Sequence, residues 1–595
     1  MLLLRSLPRR GAIILVFFAF TCGILTGYVL THGGATETCF FGLRASASSR
    51  FWSSLAKEKA REELLYLETV SDIVSRTRGY YARDFSLELG WNNMRYIIEA
   101  VVYHAALLNR TAIIPSFVYA RSCEFTNSVC VAYAPMVNRG DALRTDQWRD
   151  LPEDEQMGWK IPIDTVLNVT RLQEHYSVIL VSDYLRLHSL SPDLENSTGQ
   201  WDTTLYHQNP SVFEANLTKV PSMHTIKNDW FDPEGTTRVD VIPEEMKQRG
   251  QWDVLAGDPN KDESGRFPNV TRTEIYDEVL TYRYIKAEDR VPAVTWEHAL
   301  LALSTAGVLG AGNPDEIAEV LQGNGMEVVY TYKGAHGMDF VKNVASAIQQ
   351  VVPRESIRGF VDDFGDIEAD VLYLEGEVHD GRKPGSLRFT TPERRDTFSE
   401  MVLYDTHAPQ AVYDLAAKLA NRMVEMNEGR MWIAAHMRRG DFVSLGWAIQ
   451  DDFVSHFNRI AQQVINGRLM LERTSFDAES ITPYNVPNVI PNIAFYQREP
   501  PKEGDKFYIA TDERDPANLA YLREHGAVLI ADLLTDEDRR AFGWGLMLTD
   551  VLGLVEQALL ARSHFMYGHS LSSVAGGAIN LRAADGLDSR TVRFE

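Results

Sequence analysis

The chain has 595 residues, 45% hydrophobic and 24% charged, the composition of a globular protein long enough for two or more domains. Its 82 acidic side chains outnumber 59 basic ones, a formal net charge of −23. That balance excludes a nucleic-acid binder and a protein held on anionic lipid by a basic surface, so positive charge for any anionic ligand has to be local.

From the N-terminus, Gly11 to Leu30 carries no charged residue and has the length of a bilayer-spanning helix. Arg5, Arg9 and Arg10 precede it and no basic cluster follows at once. The positive-inside rule then puts residues 1–10 in the cytosol and the rest across the membrane, as a single-pass type II protein of the Golgi or endoplasmic reticulum. A cleaved signal peptide is the rival reading, although its apolar region would be unusually long. Both readings place the main body in the secretory pathway. Five sequons, at Asn109, Asn168, Asn196, Asn216 and Asn269, fit that compartment. Cys22 lies in the span. Cys123 and Cys130 are spaced to close a small loop with Cys39 left over; the alternative is three free thiols. No cysteine spacing suits a zinc site.

Residues 31–78 read as a stem: a Gly-, Ala-, Thr- and Ser-rich stretch, then an amphipathic helix over 52–74 that either extends the stem or packs on the head. Residues 79–400 form the first α/β lobe. Asn92 to Leu108 is helical, Thr111 to Pro115 is a strand, and Val178 to Val181 is a strand ending at Ser182-Asp183. Residues 185–300 are insertions, polar and irregular over 191–275. Asn313-Pro314-Asp315-Glu316 starts a helix that stops at Gly323; Met326 to Tyr332 is a strand and Phe340 to Val352 a helix. Residues 401–595 form the second lobe, with helices at Val412 to Met426 and Leu546 to Ala561. Its strands end at His436, at Thr511-Asp512, at Ala531 and at Tyr567. The alternation predicts an α/β protein with two Rossmann-like lobes facing a cleft.

Trp432-Ile433-Ala434-Ala435-His436-Met437-Arg438-Arg439-Gly440-Asp441 carries the most information. A buried parallel strand runs into two guanidiniums at its carboxyl end, where open α/β sheets bind ligands. Arginine forks match phosphate oxygens. The plainer reading is a solvated strand end with an internal Asp441 salt bridge. Thr511-Asp512 and Ser572-Ser573 also fall at carboxyl ends of strands in this lobe, and the serines open a helix whose free N–H groups suit an anion. Gly307, Gly310 and Gly312 lack the spacing of a dinucleotide fingerprint. Asp536-Glu537-Asp538 follows Thr535 and reads as the acidic first turn of a helix rather than a metal site.

Taken together, Gly90-Trp91-Asn92-Asn93-Met94-Arg95, Leu107 through Pro115, His436 through Asp441, Tyr508 through Asp512, and His564-Phe565 through Ser572-Ser573 resemble the GDP-fucose-dependent protein O-fucosyltransferases and their relatives. The resemblance brackets about residues 80 to 582, with none over 185–300. It implies a GT-B fold, a GDP-fucose donor, no cofactor or metal, and inverting transfer to a hydroxyl of a protein or glycan. By the same resemblance Arg438 stabilises the leaving phosphate, His436, Arg439, Thr511 and Asp512 line the donor, and Asp441, also on the donor side, orients an arginine fork or a substrate hydroxyl. Asn92 or Asn93 reaches the donor from the other lobe, Ser572 and Ser573 hold phosphate, and Glu556 accepts from guanine, with Asp550 on another face of that helix. One position departs from the pattern: relatives with a general base carry Glu where this chain has Leu89, with Glu88 one residue earlier. No base is therefore assigned. A transferase for another GDP-sugar, or an inactive luminal binding protein of the same fold, remain the alternatives.

Overall fold

The computed structural model describes residues 61, 65–143, 146–150, 156–213, 219–231, 233–254, 265–268, 272–281, 292–308, 313–333, 343–376, 387–477 and 479–595. The expected anchor, Cys22, Cys39, Asn216, Asn269, Gly310 and Gly312 lie outside them. Among the described residues no helix is long and apolar enough to cross a membrane.

Apolar runs too short for helices build two parallel sheets. The first contains β1 (Tyr80–Arg83), β2 (Thr111–Ile114), β3 (Val178–Leu180), β4 (Met223–Ile226) and β5 (Val371–Leu374), in the order β3-β2-β1-β5-β4. Every pairing in it is parallel. β1, β2 and β5 are buried along their whole length, as sheets covered on both faces require. The second contains β6 (Ile433–Met437), β7 (Phe507–Thr511), β8 (Ala527–Val528), β9 (Phe565–Gly568) and β10 (Val592–Phe594), in the order β8-β7-β6-β9-β10, again all parallel. Its strand order reverses between β6 and β9. That is where a doubly wound sheet opens a crevice.

Five helices matter for the site: α1 (Trp91–Leu107), α2 (Gln410–Met426), α3 (Phe453–Arg473), α4 (Thr549–Ala561) and α5 (Ser573–Ala584). Strand alternation sorts the second sheet. Ile433, Ala435, Met437, Phe507 and Ile509 pack under α3 with Phe457, Ile460 and Leu471. Ala434, Tyr508 and Ala510 face the other way, into a core shared by α1, α2, α4 and α5. α1 therefore joins its own sheet to the helices of the second sheet without a break in the core.

Three expectations need correction. Phe340 to Lys342 lie outside the described residues, and in the rest of the helix expected over Phe340 to Val352 a strand stands instead, Ala347–Pro353 pairing antiparallel with Met326–Tyr332. Its apolar residues fit either period, and the long partner strand decides. Residues 191–275 are more than surface loops, since β4 lies inside them and completes the first sheet. Ala527 to Ala531 is a strand only as far as Val528; Ile530–Leu533 turns helical, with Asp532 accepting from the N–H of Leu529 at 3.0 Å. The helix expected from Asn313 is present as Pro314–Gly323, closed by a reciprocal capping box between Asn313 and Glu316. It belongs to a small subdomain with its own core around Leu303, Leu321, Val328 and Val351.

Candidate functional site at the carboxyl edge of the second sheet

β6 pairs with β7 so that Ala434 lies beside Tyr508 and His436 beside Ala510. Arg438 and Asp512 each continue the same alternation one step past a strand end. Both thus emerge on the face covered by α4, beside the reversal between β6 and β9.

Arg438 is held by two carboxylates. Nη1 donates to Asp512 Oδ2 at 2.6 Å and Nη2 to Asp441 Oδ1 at 2.6 Å. Its guanidinium carbon sits 5.0 Å from the centre of the Phe442 ring. Asp512 Oδ1 also accepts from the backbone N–H of Arg439 at 2.8 Å. Gly440 makes this approach feasible: a Cβ there would stand 2.3 Å from Asp512 Oδ2. Asp512, expected to line the donor, is thus first of all the group that aims Arg438. Thr511 shapes the same turn, donating to Met437 O at 2.9 Å and accepting from Glu513 N at 3.1 Å.

Arg439, expected beside the donor, is engaged by the segment that follows it. It donates to the carbonyls of Gln450 and Asp451 at 3.2 and 2.9 Å, pairs with Glu513 at 3.4 Å and lies over Phe453. Two adjacent residues leave a strand end on opposite sides, so Arg438 is held between Asp512 and Asp441 while Arg439 braces the segment over 440–452.

His436 is buried, and its Nδ1 has no hydrogen-bond partner among the described residues. Burial, then the nearby Arg438, push it down to about 3, so the ring is neutral at physiological pH. Glu556, on α4, accepts from the Tyr508 hydroxyl at 2.8 Å. Burial pushes its carboxyl up to about 8; the Tyr508 bond pulls the other way, while Glu124 and Asp512 add to the rise. Asp550, one face away, accepts from Arg121 N at 2.8 Å rather than standing in solvent. Beside it Ser122 and Thr549 share a hydroxyl hydrogen bond of 2.7 Å.

Across the strand-order reversal, α5 follows β9 and its N-terminal turn meets α1. Ser572 is the N-cap of α5 and its side chain makes no capping bond, so the first N–H groups of this twelve-residue helix are not claimed by their own cap. Ser573 follows, its carbonyl taking the Tyr96 hydroxyl of α1 at 2.9 Å. Asn92, in the first turn of α1, accepts from Gln557 Nε2 at 2.9 Å, and that amide also donates to Val574 O at 2.9 Å. Asn93 is the half-buried neighbour of Asn92. Gln557 was not singled out from the sequence. Its signal was an amide beside Glu556 in a mainly apolar helix, where it is 2% exposed and ties α4 to α1 and to α5. Leu89, in place of the relatives' acid, packs against the shared core.

The other candidates fall elsewhere. Cys123 and Cys130 are joined in a disulfide. Asn109 is exposed, in a left-handed turn at φ 52°. Asn168 caps the helix Val169–His175, accepting from Arg171 N at 3.1 Å. Asn196 accepts from the N–H and hydroxyl of Thr198 at 3.0 and 2.9 Å. Asp538 is buried with Arg422 and Lys418, which with Thr535 outweigh burial and hold its carboxyl well below the usual range. No cluster of three or more acidic, His or Cys side chains able to hold a metal occurs among the described residues.

No family model and no curated protein matches the chain. Among solved structures it is similar to POFUT1 in complex with GDP-fucose, at 10% identity and a TM-score of 0.29, over 87% of this chain and 98% of that one. POFUT1 in complex with GDP gives 10% identity and a TM-score of 0.28 over the same shares. NodZ alpha-1,6-fucosyltransferase soaked with GDP-fucose gives 14% identity and a TM-score of 0.19, over 36% of this chain and 53% of that one.

Proposed function

We propose that the chain is a GT-B glycosyltransferase that takes GDP-fucose and passes the sugar, with inversion, to a hydroxyl of a protein or glycan. Its place would be the Golgi or endoplasmic reticulum, with residues 11–30 as anchor. One observation carries the reading. Arg438 follows β6 at the strand-order reversal, and α5 begins after the neighbouring strand β9, with Asn92 of α1 linked through Gln557 to its first turn. A fixed cation and a helix N-terminus there would share the charge that develops on a departing diphosphate. The sugar identity rests on the motif resemblance alone.

In this mechanism Arg438 meets the leaving β-phosphate, and the N–H groups after Ser572 and Ser573 meet the other oxygens. His436, neutral, offers a hydrogen bond rather than a charge. Glu556 faces the base. The purified protein should melt higher with GDP than with UDP, because a ligand bound to the folded state alone raises stability by mass action. Arg438→Ala should lose that rise, and about 10²–10³ of the transfer rate, the scale on which one preorganised charge donor acts. A folded sample unmoved by GDP would sink the proposal. A second reading, donor binding without turnover, follows from Leu89 in the position of the relatives' base. It predicts the GDP-dependent rise with no sugar transfer to any acceptor.

A further inference from the structure

We infer that Asp441 is a displaceable counter-ion: it occupies Arg438 while the site is empty and yields its place to the donor's diphosphate. This rests on the donor reading above.

Arg438 carries one positive charge and two carboxylates, each at 2.6 Å, so the trio is net negative where a diphosphate has to bind. His436 is neutral, and Arg439 is committed to Glu513 and to the loop carbonyls, so neither offsets the surplus. The diphosphate can use both guanidinium nitrogens only if one carboxylate leaves, because like charges in contact oppose binding.

The two carboxylates are not equivalent. Asp512 is 27% exposed, accepts two hydrogen bonds from adjacent residues and is seated against Gly440. Asp441 is 50% exposed and grips Arg438 through Nη2 from the first turn of the short helix Gly440–Ser444. A rotation of its side chain releases Arg438 into open space without moving β6. Asp512 thus stays as the positioning residue, and Asp441 is the group that gives way, which sets how tightly and for how long the nucleotide is held.

The sign of one substitution separates this from a structural role. Calorimetric titration with GDP should show Asp441→Asn binding roughly 1.5- to fivefold tighter than the parent, the size expected from removing one half-exposed competing charge. Asp512→Asn should bind more weakly. Asp441→Ser guards against the new amide making its own bond to phosphate, and should also tighten binding. Melting temperatures without nucleotide check that each variant is folded. GDP affinity that is unchanged or weaker in both Asp441 variants overturns the counter-ion, even though a parent protein that binds GDP would leave the donor reading standing. A folded parent that binds no GDP overturns both.

Discussion

Glu556 shows how a single carboxyl can make nucleotide binding depend on pH. With its carboxyl pushed up to about 8, chiefly by burial, it is mostly protonated at pH 7. A guanine edge offers two N–H donors, and a carboxylate accepts both where a carboxylic acid accepts one. Binding should therefore expel the proton. The linked signs follow from the raised value. The folded empty protein holds this proton more tightly than the unfolded chain, so Glu556 favours folding below pH 4.5 and loses that contribution as pH rises through about 8. GDP affinity moves the other way, rising from pH 6 to about 8 and then levelling. Titrations at pH 7 in buffers of different ionisation enthalpy should report release of up to about one proton, absent in Glu556→Gln. Heats that do not vary with buffer would show that Glu556 does not meet the base as a carboxylate. That Glu556 meets the base is what the resemblance implies. Its protonation was not legible in the sequence, because Tyr508, Glu124 and Asp512 come from elements far apart in the chain.

At the scale of elements, strand ends were the most readable feature: an apolar run that stops at charged or hydroxyl residues marks both a buried strand and the edge where it opens. β6 and β7 have that form, and Arg438 and Asp512 follow from it. β4, the short run Met-His-Thr-Ile, gives no such signal, since three of its four residues are only half buried and its place is fixed by pairing with β5. The joint between α1, α4 and α5 was also hidden, because an amide bridge needs a partner that sequence spacing does not identify. Gly577 on α5 tests that joint. In most helix interiors Gly→Ala stabilises by about 1 kcal/mol. Here a Cβ would stand 2.2 Å from Gln557 Nε2, the atom that serves both Asn92 and Val574. Gly577→Ala should instead destabilise by about 1–3 kcal/mol in urea unfolding, as overpacking does, and weaken GDP binding by shifting Asn92. A stabilised variant with unchanged GDP affinity would mean the bridge is dispensable.

Across the whole molecule, the two parallel sheets and their shared core exclude water from a set of histidines that no local motif distinguishes. His456 is 0% exposed, and neither ring nitrogen has a hydrogen-bond partner among the described residues. Burial pushes it down to about 4, with Arg439 and His569 adding to the fall. His436 and His564 are pushed down to about 3, again chiefly by burial. Each value lies below that of the unfolded chain, near 6.5, so the unfolded chain takes up more protons as the solution turns acid. Their stabilising contribution is complete above pH 6.5 and is lost as pH falls towards 3 to 4. Each histidine should add about 1.4 kcal/mol per pH unit to that slope. A chain of net charge −23 feels an opposing effect, because acidification relieves its self-repulsion. The two are separable by replacing one ring. His456 is a fully buried residue of α3, so His456→Leu puts an apolar side chain in a buried place and removes one titrating group while leaving net charge at neutral pH unchanged. Unfolding free energies between pH 7 and 5 should then fall less steeply than in the parent, by about 1.4 kcal/mol per unit at most. Parallel curves would place the acid lability in groups other than His456 and remove the basis for treating the buried rings as the molecule's acid sensors.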